Sequence, residues 1–224
     1  MMTMKATHSG TGCRLCLVRH GETAWNAQGR LQGHVDIPLN ETGRAQADAL
    51  RQRLASLDEG FAALYCSDLL RTRQTAAGIA EARQLQPIHD ARLRERHYGI
   101  FQGLTHDEGA RLDPVSHGRF RAREPAFALP GSGESLLGFA ARVREALDEI
   151  ATRHAGESVL VVTHGGVLDI AHRLTQATAL ELPRQFNIPN AALNWLEAEH
   201  GQWRLLSWGD EAHLEDALDE FADR

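Results

Sequence analysis

A chain of 224 residues, 42% hydrophobic and 24% charged, with a formal net charge of −6, has the make-up of an ordinary globular protein and length for a sizeable core. It carries no basic block to serve as a nucleic-acid arm and no apolar run of membrane-spanning length, so neither a nucleic acid nor a membrane is expected as a partner. Three cysteines are too few for a disulfide scaffold, and the Cys13–Cys16 pair lacks the second pair that would complete a zinc site. Their odd offset along a strand sends the two side chains to opposite faces, so they read as small apolar residues in a reduced cytoplasm.

Met1 to Gly12 is polar and small, lacks the apolar centre of a signal peptide and reads as a flexible leader. The apolar run Leu15-Cys16-Leu17-Val18 is a buried strand that ends abruptly in Arg19-His20-Gly21-Glu22-Thr23. A glycine-rich loop through Gly29, Gln32 and Gly33 follows. Asn40 is then a helix N-cap, with Ala47, Leu50, Leu54 and Leu57 recurring at helical spacing. Phe61 to Cys66 reads as a second strand, Leu69 to Leu85 as a helix, and Pro87-Ile88-His89 as a short third strand. From Arg92 to Pro130 the periodicity breaks down among glycines, prolines, arginines and histidines, the mark of a functional lid or a disordered insertion. Ser132 or Ser135 opens a long helix with Phe139, Val143, Leu147 and Ile150 on its core face. Ser158 to Thr163 is a continuous apolar strand, buried on both faces, that ends in His164-Gly165-Gly166 before a helix from Val167 to Thr175. Two late strands, Ala191 to Glu197 and Trp203 to Trp208, precede an acidic, helical tail over 210–224. Alternating strands and helices predict a three-layer α/β fold: a mostly parallel sheet flanked by helices, one domain over 1–224, with a lid-like insertion over about 96–131.

Two histidines share one layout. Val18-Arg19-His20-Gly21 and Val162-Thr163-His164-Gly165 each place an imidazole and a glycine directly after an apolar strand. In a parallel sheet both emerge at the carboxyl edge, where open α/β sheets bind ligands. A lone strand-end histidine is more often structural, but two in matched contexts, with Arg19 and Arg71 from strand ends, form a cationic pocket. Its natural guest is a phosphoryl group, whose oxygens suit the guanidinium fork.

At these residues the sequence resembles the histidine phosphatase superfamily, the phosphoglycerate mutase-like enzymes. The matching stretches are Leu17 to Thr23 with Trp25-Asn26 and Gln32-Gly33, Ser67 to Ala76, Leu93 to Gly99, Gly131 to Ser135, and Val162 to Gly166. They run in consistent order from about Leu15 to about Leu214. The resemblance implies His20 as the nucleophile that forms a phosphohistidine, held neutral by the arginines and fixed in one tautomer by a hydrogen bond to a backbone carbonyl. It implies Arg19, Arg71 and His164 as holders of the phosphoryl oxygens, and Glu95 as the acid that protonates the leaving oxygen and then activates water. Asn26, Thr23, Gln32, Gly33, Arg96, Tyr98 and Gly165 are implied as phosphate- or substrate-binding. Read without the resemblance, Glu95 is also compatible with a surface carboxylate amid Arg92, Arg94 and Arg96. Neither a metal nor another cofactor is called for, and the partner is a small phosphorylated substrate, bound by a monomer or homodimer.

The mutase and phosphatase branches share this core. Mutases resembling this chain carry asparagine-serine after the second His-Gly, where Gly166-Val167 stand here, and a lysine after Gly-Leu, where Thr105-His106 stand. Glu95 to Gly99 followed by Gln102-Gly103-Leu104 is mutase-like, whereas Trp208-Gly209-Asp210 with His213-Leu214 is phosphatase-like. The balance predicts a phosphomonoesterase acting on small phosphorylated metabolites. The alternatives are a cofactor-dependent phosphoglycerate mutase and, more remotely, a non-catalytic phospho-ligand-binding relative. A metallohydrolase lacks the H-E-x-x-H type of ligand cluster.

Overall fold

A computed structural model describes residues 10–214. Its centre is a six-stranded sheet in the order β3-β2-β4-β1-β5-β6. The strands are β1 (Cys13–Arg19), β2 (Phe61–Cys66), β3 (Pro87–His89), β4 (Ser158–Thr163), β5 (Leu193–Glu199) and β6 (Gln202–Asp210). The first four strands run parallel, and β5 and β6 extend the sheet as an antiparallel pair. The expected α/β sheet is thus parallel across the four strands from β3 to β1, with a late hairpin added.

Alternation along the buried strands feeds two cores. On one face Cys13, Leu15, Leu17, Val159 and Val161 pack against α6 (Leu136–Arg153) and α7 (Gly165–Gln176). On the other, Cys16, Val18, Leu160 and Val162 meet α2 (Glu41–Ser56) and α3 (Leu70–Arg83). Helices therefore cover both faces, the three-layer arrangement expected. Cys13 and Cys16 do lie on opposite faces. Burial pushes the thiols of Cys13 and Cys66 up to about 12 and that of Cys16 higher still, so none is poised as a thiolate.

Asn40 caps α2 by accepting from the Gly43 N–H, and Ser135 rather than Ser132 caps α6 by accepting from that of Gly138. Several boundaries differ from expectation. β1 starts at Cys13, α7 starts at Gly165, and α3 stops at Arg83, where Gln84 turns left-handed at φ 55°. β5 begins at Leu193 because Ala191 sits at φ 58°, outside any strand. A four-residue helix, α1 (Ala24–Ala27), to which no periodicity in the sequence pointed, precedes the glycine-rich loop and opens on a reciprocal Thr23–Asn26 cap. The segment from Arg92 to Pro130 is not irregular throughout. It holds α4 (His106–Leu112) and α5 (Pro114–Arg121), capped by Thr105 and Asp113. Beneath it Tyr98, Phe101 and Leu129 gather with Leu31 into a third apolar cluster. Of the expected tail, Asp210 ends β6, and residues 215–224 lie outside the described residues, as do 1–9 of the leader. No helix among the described residues is long and apolar enough to cross a membrane.

Register places the site. β1 and β4 pair in parallel with Arg19 opposite Thr163, so the chain leaves both strands at one level. The His20 N–H donates to the Thr163 carbonyl at 2.9 Å, extending the ladder one residue beyond the strands.

Candidate active site

His20 is 3% exposed, and its main-chain carbonyl accepts from Asn190 Nδ2 at 2.7 Å. Its Nδ1 lies 2.7 Å from the Gly21 carbonyl. A carbonyl can only accept, so Nδ1 carries the proton and Nε2 keeps its lone pair. Burial, then the guanidinium groups of Arg71 and Arg19, hold the imidazole well below its usual pKa. The next residue must be glycine, because a Cβ at Gly21 would collide with the carbonyl of Gly43 in the first turn of α2. The Gly21 N–H instead donates to Thr75 Oγ1 on α3 at 3.0 Å.

Both arginines are buried and fixed by backbone carbonyls. Arg19 Nη1 donates to Ile188 O at 2.7 Å, and Arg71 donates from Nη1 to Val35 O and from Nη2 to Gly33 O at 2.9 and 2.8 Å. His164 stands at the N-terminal boundary of α7, where its side chain makes no capping bond, and lies edge-on to His20, with ring centroids 5.2 Å apart. Its Nε2 is 2.8 Å from Ser67 Oγ, while its buried Nδ1 has no protein partner. Burial, then Arg71 and His20, depress its pKa as well.

Glu95 completes the group. Its carboxylate accepts from the Arg96 N–H at 2.7 Å on Oε1 and from the Gly166 N–H at 2.9 Å on Oε2. It lines a small cavity together with Arg19, His20, Gln32, Arg71 and Tyr98. On the far side of Tyr98 opens a larger cavity of about 220 Å³. Arg96, Arg121, Arg123 and Arg184 line it, with the rings of Phe120 and Phe139 among its apolar walls. Gly165 and Gly166 reach this second cavity at the start of α7. The one carboxylate among these lining residues, Asp169, is already engaged by Arg123 and Arg173, so the wall is strongly cationic.

Not every expected residue meets these cavities. Thr23 and Asn26 are spent mainly on each other, with the Thr23 N–H and hydroxyl both donating to Asn26 Oδ1, although the buried Nδ2 of Asn26 has no protein partner. Gly33 contributes its carbonyl to Arg71 and a φ of 54°, not a wall. Arg96 is held at Nε and Nη2 by the Glu134 carbonyl and stacks its guanidinium over Phe120.

The backbone beneath Glu95 is held by residues to which the sequence reading gave no role. Residues 92–95 have no ladder to satisfy them, yet all four of their carbonyls accept from side chains. Arg142 on α6 donates to Arg92 O, Arg94 O and Glu95 O, each at 2.8 Å, and Thr163 Oγ1 donates to Leu93 O. Glu134 pairs with Arg142 and also accepts from the His97 N–H. His34 Nε2 adds a second donor to Glu95 O at 2.8 Å. Ser67 was equally hidden: it meets His164 only because β2 and β4 are neighbours.

The histidine phosphatase superfamily (branch 1) model matches residues 15–211. Arabidopsis thaliana has a metal-independent phosphoserine phosphatase that is 41% identical over 89% of this chain and 82% of its own length. Its phosphoglycerate mutase-like protein 4 is 38% identical over 90% and 87%. Among solved structures, a mycobacterial glucosyl-3-phosphoglycerate phosphatase superposes with a TM-score of 0.76 at 31% identity, over 89% of this chain and 100% of that one. A strand-end arginine-histidine pair, a second histidine in matched register and a match that spans the whole sheet lead to one placement: the chain belongs to the histidine phosphatase superfamily.

Proposed function

We propose that this protein is a phosphomonoesterase that hydrolyses small phosphorylated metabolites in the cytoplasm through a phosphohistidine on His20. The observation that carries the reading is His20 Nδ1 held on the Gly21 carbonyl, which leaves the Nε2 lone pair for attack, in a cavity walled by two buried guanidinium groups. In the first step Nε2 attacks phosphorus and the phosphorus–oxygen ester bond breaks. The leaving oxygen takes the Glu95 proton, and the Nδ1–H bond to the Gly21 carbonyl supports the charge left on the ring. In the second step water attacks the phosphoryl group, Glu95 takes its proton back, and the nitrogen–phosphorus bond breaks to free phosphate. Arg19, Arg71 and the Nδ1–H of His164 hold the phosphoryl oxygens throughout, with Ser67 donating to His164 Nε2 so that Nδ1 carries the hydrogen. The amide of Gln32, on the wall of the small cavity, is a further donor to the same group.

The larger cavity takes the leaving group, and residues 96–131 act as its lid, with Arg121 at the end of α5 and Arg123 in the turn after it on the wall. Four arginines there favour a leaving group that bears its own anion. Serine and glycerate, parts of the substrates in two of the relatives' names, both do. The reading needs one chain for a complete site, whether as monomer or homodimer, and no cofactor.

The test is acid-quenched labelling with a phosphate-labelled substrate. The wild type should show an acid-labile, base-stable adduct on His20, and His20→Ala should show neither adduct nor turnover. Label on another residue would refute the assignment.

A further inference from the structure

The carboxylate of Glu95 lies flat against α7 at Gly166, and that contact has room for no side chain. A Cβ built at Gly166 would run into Glu95 Oε1 and stand 3.1 Å from Glu95 Cδ and from Phe139 Cζ. The same residue's N–H donates to Glu95 Oε2 at 2.9 Å. This is one of the first N–H groups of α7, which the helix leaves without an internal partner, so a carboxylate is the group it favours. The bare Cα and the free N–H thus form one seat, with one oxygen on each. Gly166 is not in the left-handed region, so backbone conformation is no reason for glycine here. The main chain of Glu95 cannot follow a displaced side chain, because Arg142 Nη2 and His34 Nε2 both hold its carbonyl at 2.8 Å.

We infer that Gly166 is a positioning residue for proton transfer: its missing side chain seats the Glu95 carboxyl at the point where the leaving oxygen departs. The inference rests on the role proposed for Glu95. Since the colliding atom is the free end of a flexible side chain, an added methyl turns Glu95 aside at little cost to the fold. A methyl at residue 166 therefore mimics the loss of the acid while Glu95 is still present.

The experiment compares Gly166→Ala, Glu95→Gln and the double variant on an alkyl phosphate and on an aryl phosphate with a good leaving group. A general acid is worth about 10²–10⁴-fold, and a good leaving group needs little of it. Gly166→Ala should lower kcat/KM for the alkyl ester by about 10²-fold, leave the aryl ester within a few-fold, and melt close to the wild type. The double variant should be no slower than Glu95→Gln, because the two changes act through one group. Where the 3.1 Å approach to Phe139 hampers folding, Gly166→Ala in a Phe139→Leu background, measured against Phe139→Leu alone, gives the same comparison. Equal losses on both esters for Gly166→Ala, or losses that multiply in the double variant, overturn the inference while Glu95→Gln still singles out the alkyl ester. Equal losses for Glu95→Gln itself overturn the acid role of Glu95, and the inference with it.

Discussion

Arg142→Ala should be among the most destabilising substitutions in this protein, although the residue lies on a helix and touches no proposed substrate. Its side chain serves three backbone carbonyls and one carboxylate. Only 19% of that side chain and 24% of the Glu134 side chain are exposed, so water replaces the lost donors incompletely. Glu95 O keeps its bond from His34, which leaves Arg92 O and Arg94 O bare at about 1 kcal/mol each. The Glu134 carboxylate keeps the His97 N–H but loses its charged partner, which adds about 1.5–3 kcal/mol, the scale of a hydrogen bond to a charged group. The sum is about 3–5 kcal/mol, in keeping with the loss of one partner from a largely buried pair, against about 5–15 kcal/mol for a whole domain. Urea denaturation followed by circular dichroism reads this as a lower midpoint at an unchanged slope. Replacing both partners, with Arg142→Met and Glu134→Leu together, should restore part of the loss by removing the stranded charge. A loss below about 1 kcal/mol for Arg142→Ala would mean that the 92–95 backbone is held by something other than this side chain.

Four further outcomes can be checked. Because burial and the arginines lower the pKa of His20 and His164, the unfolded chain binds more protons than the folded one below about pH 6.5. Stability is then fully present above that pH and falls as the medium is acidified; the midpoint of thermal unfolding should show this, and the two ring resonances should not titrate near pH 6.5. Gly43→Ala should cost about 1–3 kcal/mol as overpacking, because its Cβ would meet the main chain of Glu22, with the nitrogen 2.7 Å away. Gly118→Ala in α5, with open space around it, should instead stabilise by about 0.5–1 kcal/mol in the same urea assay. Supplied with 3-phosphoglycerate and a catalytic amount of 2,3-bisphosphoglycerate, the protein should release phosphate and form little 2-phosphoglycerate, and fast isomerisation without phosphate release would reverse the choice between hydrolase and mutase.

What was legible in the sequence follows the physics of burial. β1 and β4 are central strands covered on both faces, so they read as unbroken apolar runs ending at the two histidines. α6 was equally plain, since Phe139, Val143, Leu147 and Ile150 all face the core. The helices α4 and α5 were hidden because they are seven and eight residues long, interrupted by Gly109 and Gly118, and held by caps more than by an apolar stripe. On α2 the expected face included Ala47, yet the buried neighbour is Gln46, whose Oε1 accepts from the Glu22 N–H. No periodicity announces a core position occupied by a polar side chain serving a backbone group. Arg142 stayed invisible for the same reason: on a helix with an apolar stripe, an arginine reads as solvent-facing until the partner segment is folded beside it.

The separation of the two imidazoles is set by a ladder rather than by loops. His20 and His164 each follow a residue of one paired rung, Arg19 opposite Thr163, between strands buried on both sides. A slip of one residue would move a histidine by about 3.3 Å and turn its side chain to the other face. The interval across which a phosphoryl group would be gripped is therefore as stiff as the middle of the sheet and is lost only when the sheet parts. At the periphery, by contrast, short helices rest only on a small apolar cluster, and local opening costs least where few apolar contacts are buried. On the proposed reading, bond cleavage then sits at the centre of the sheet and recognition at its periphery, so the outer cavity can be reshaped without changing the distance between the two imidazoles.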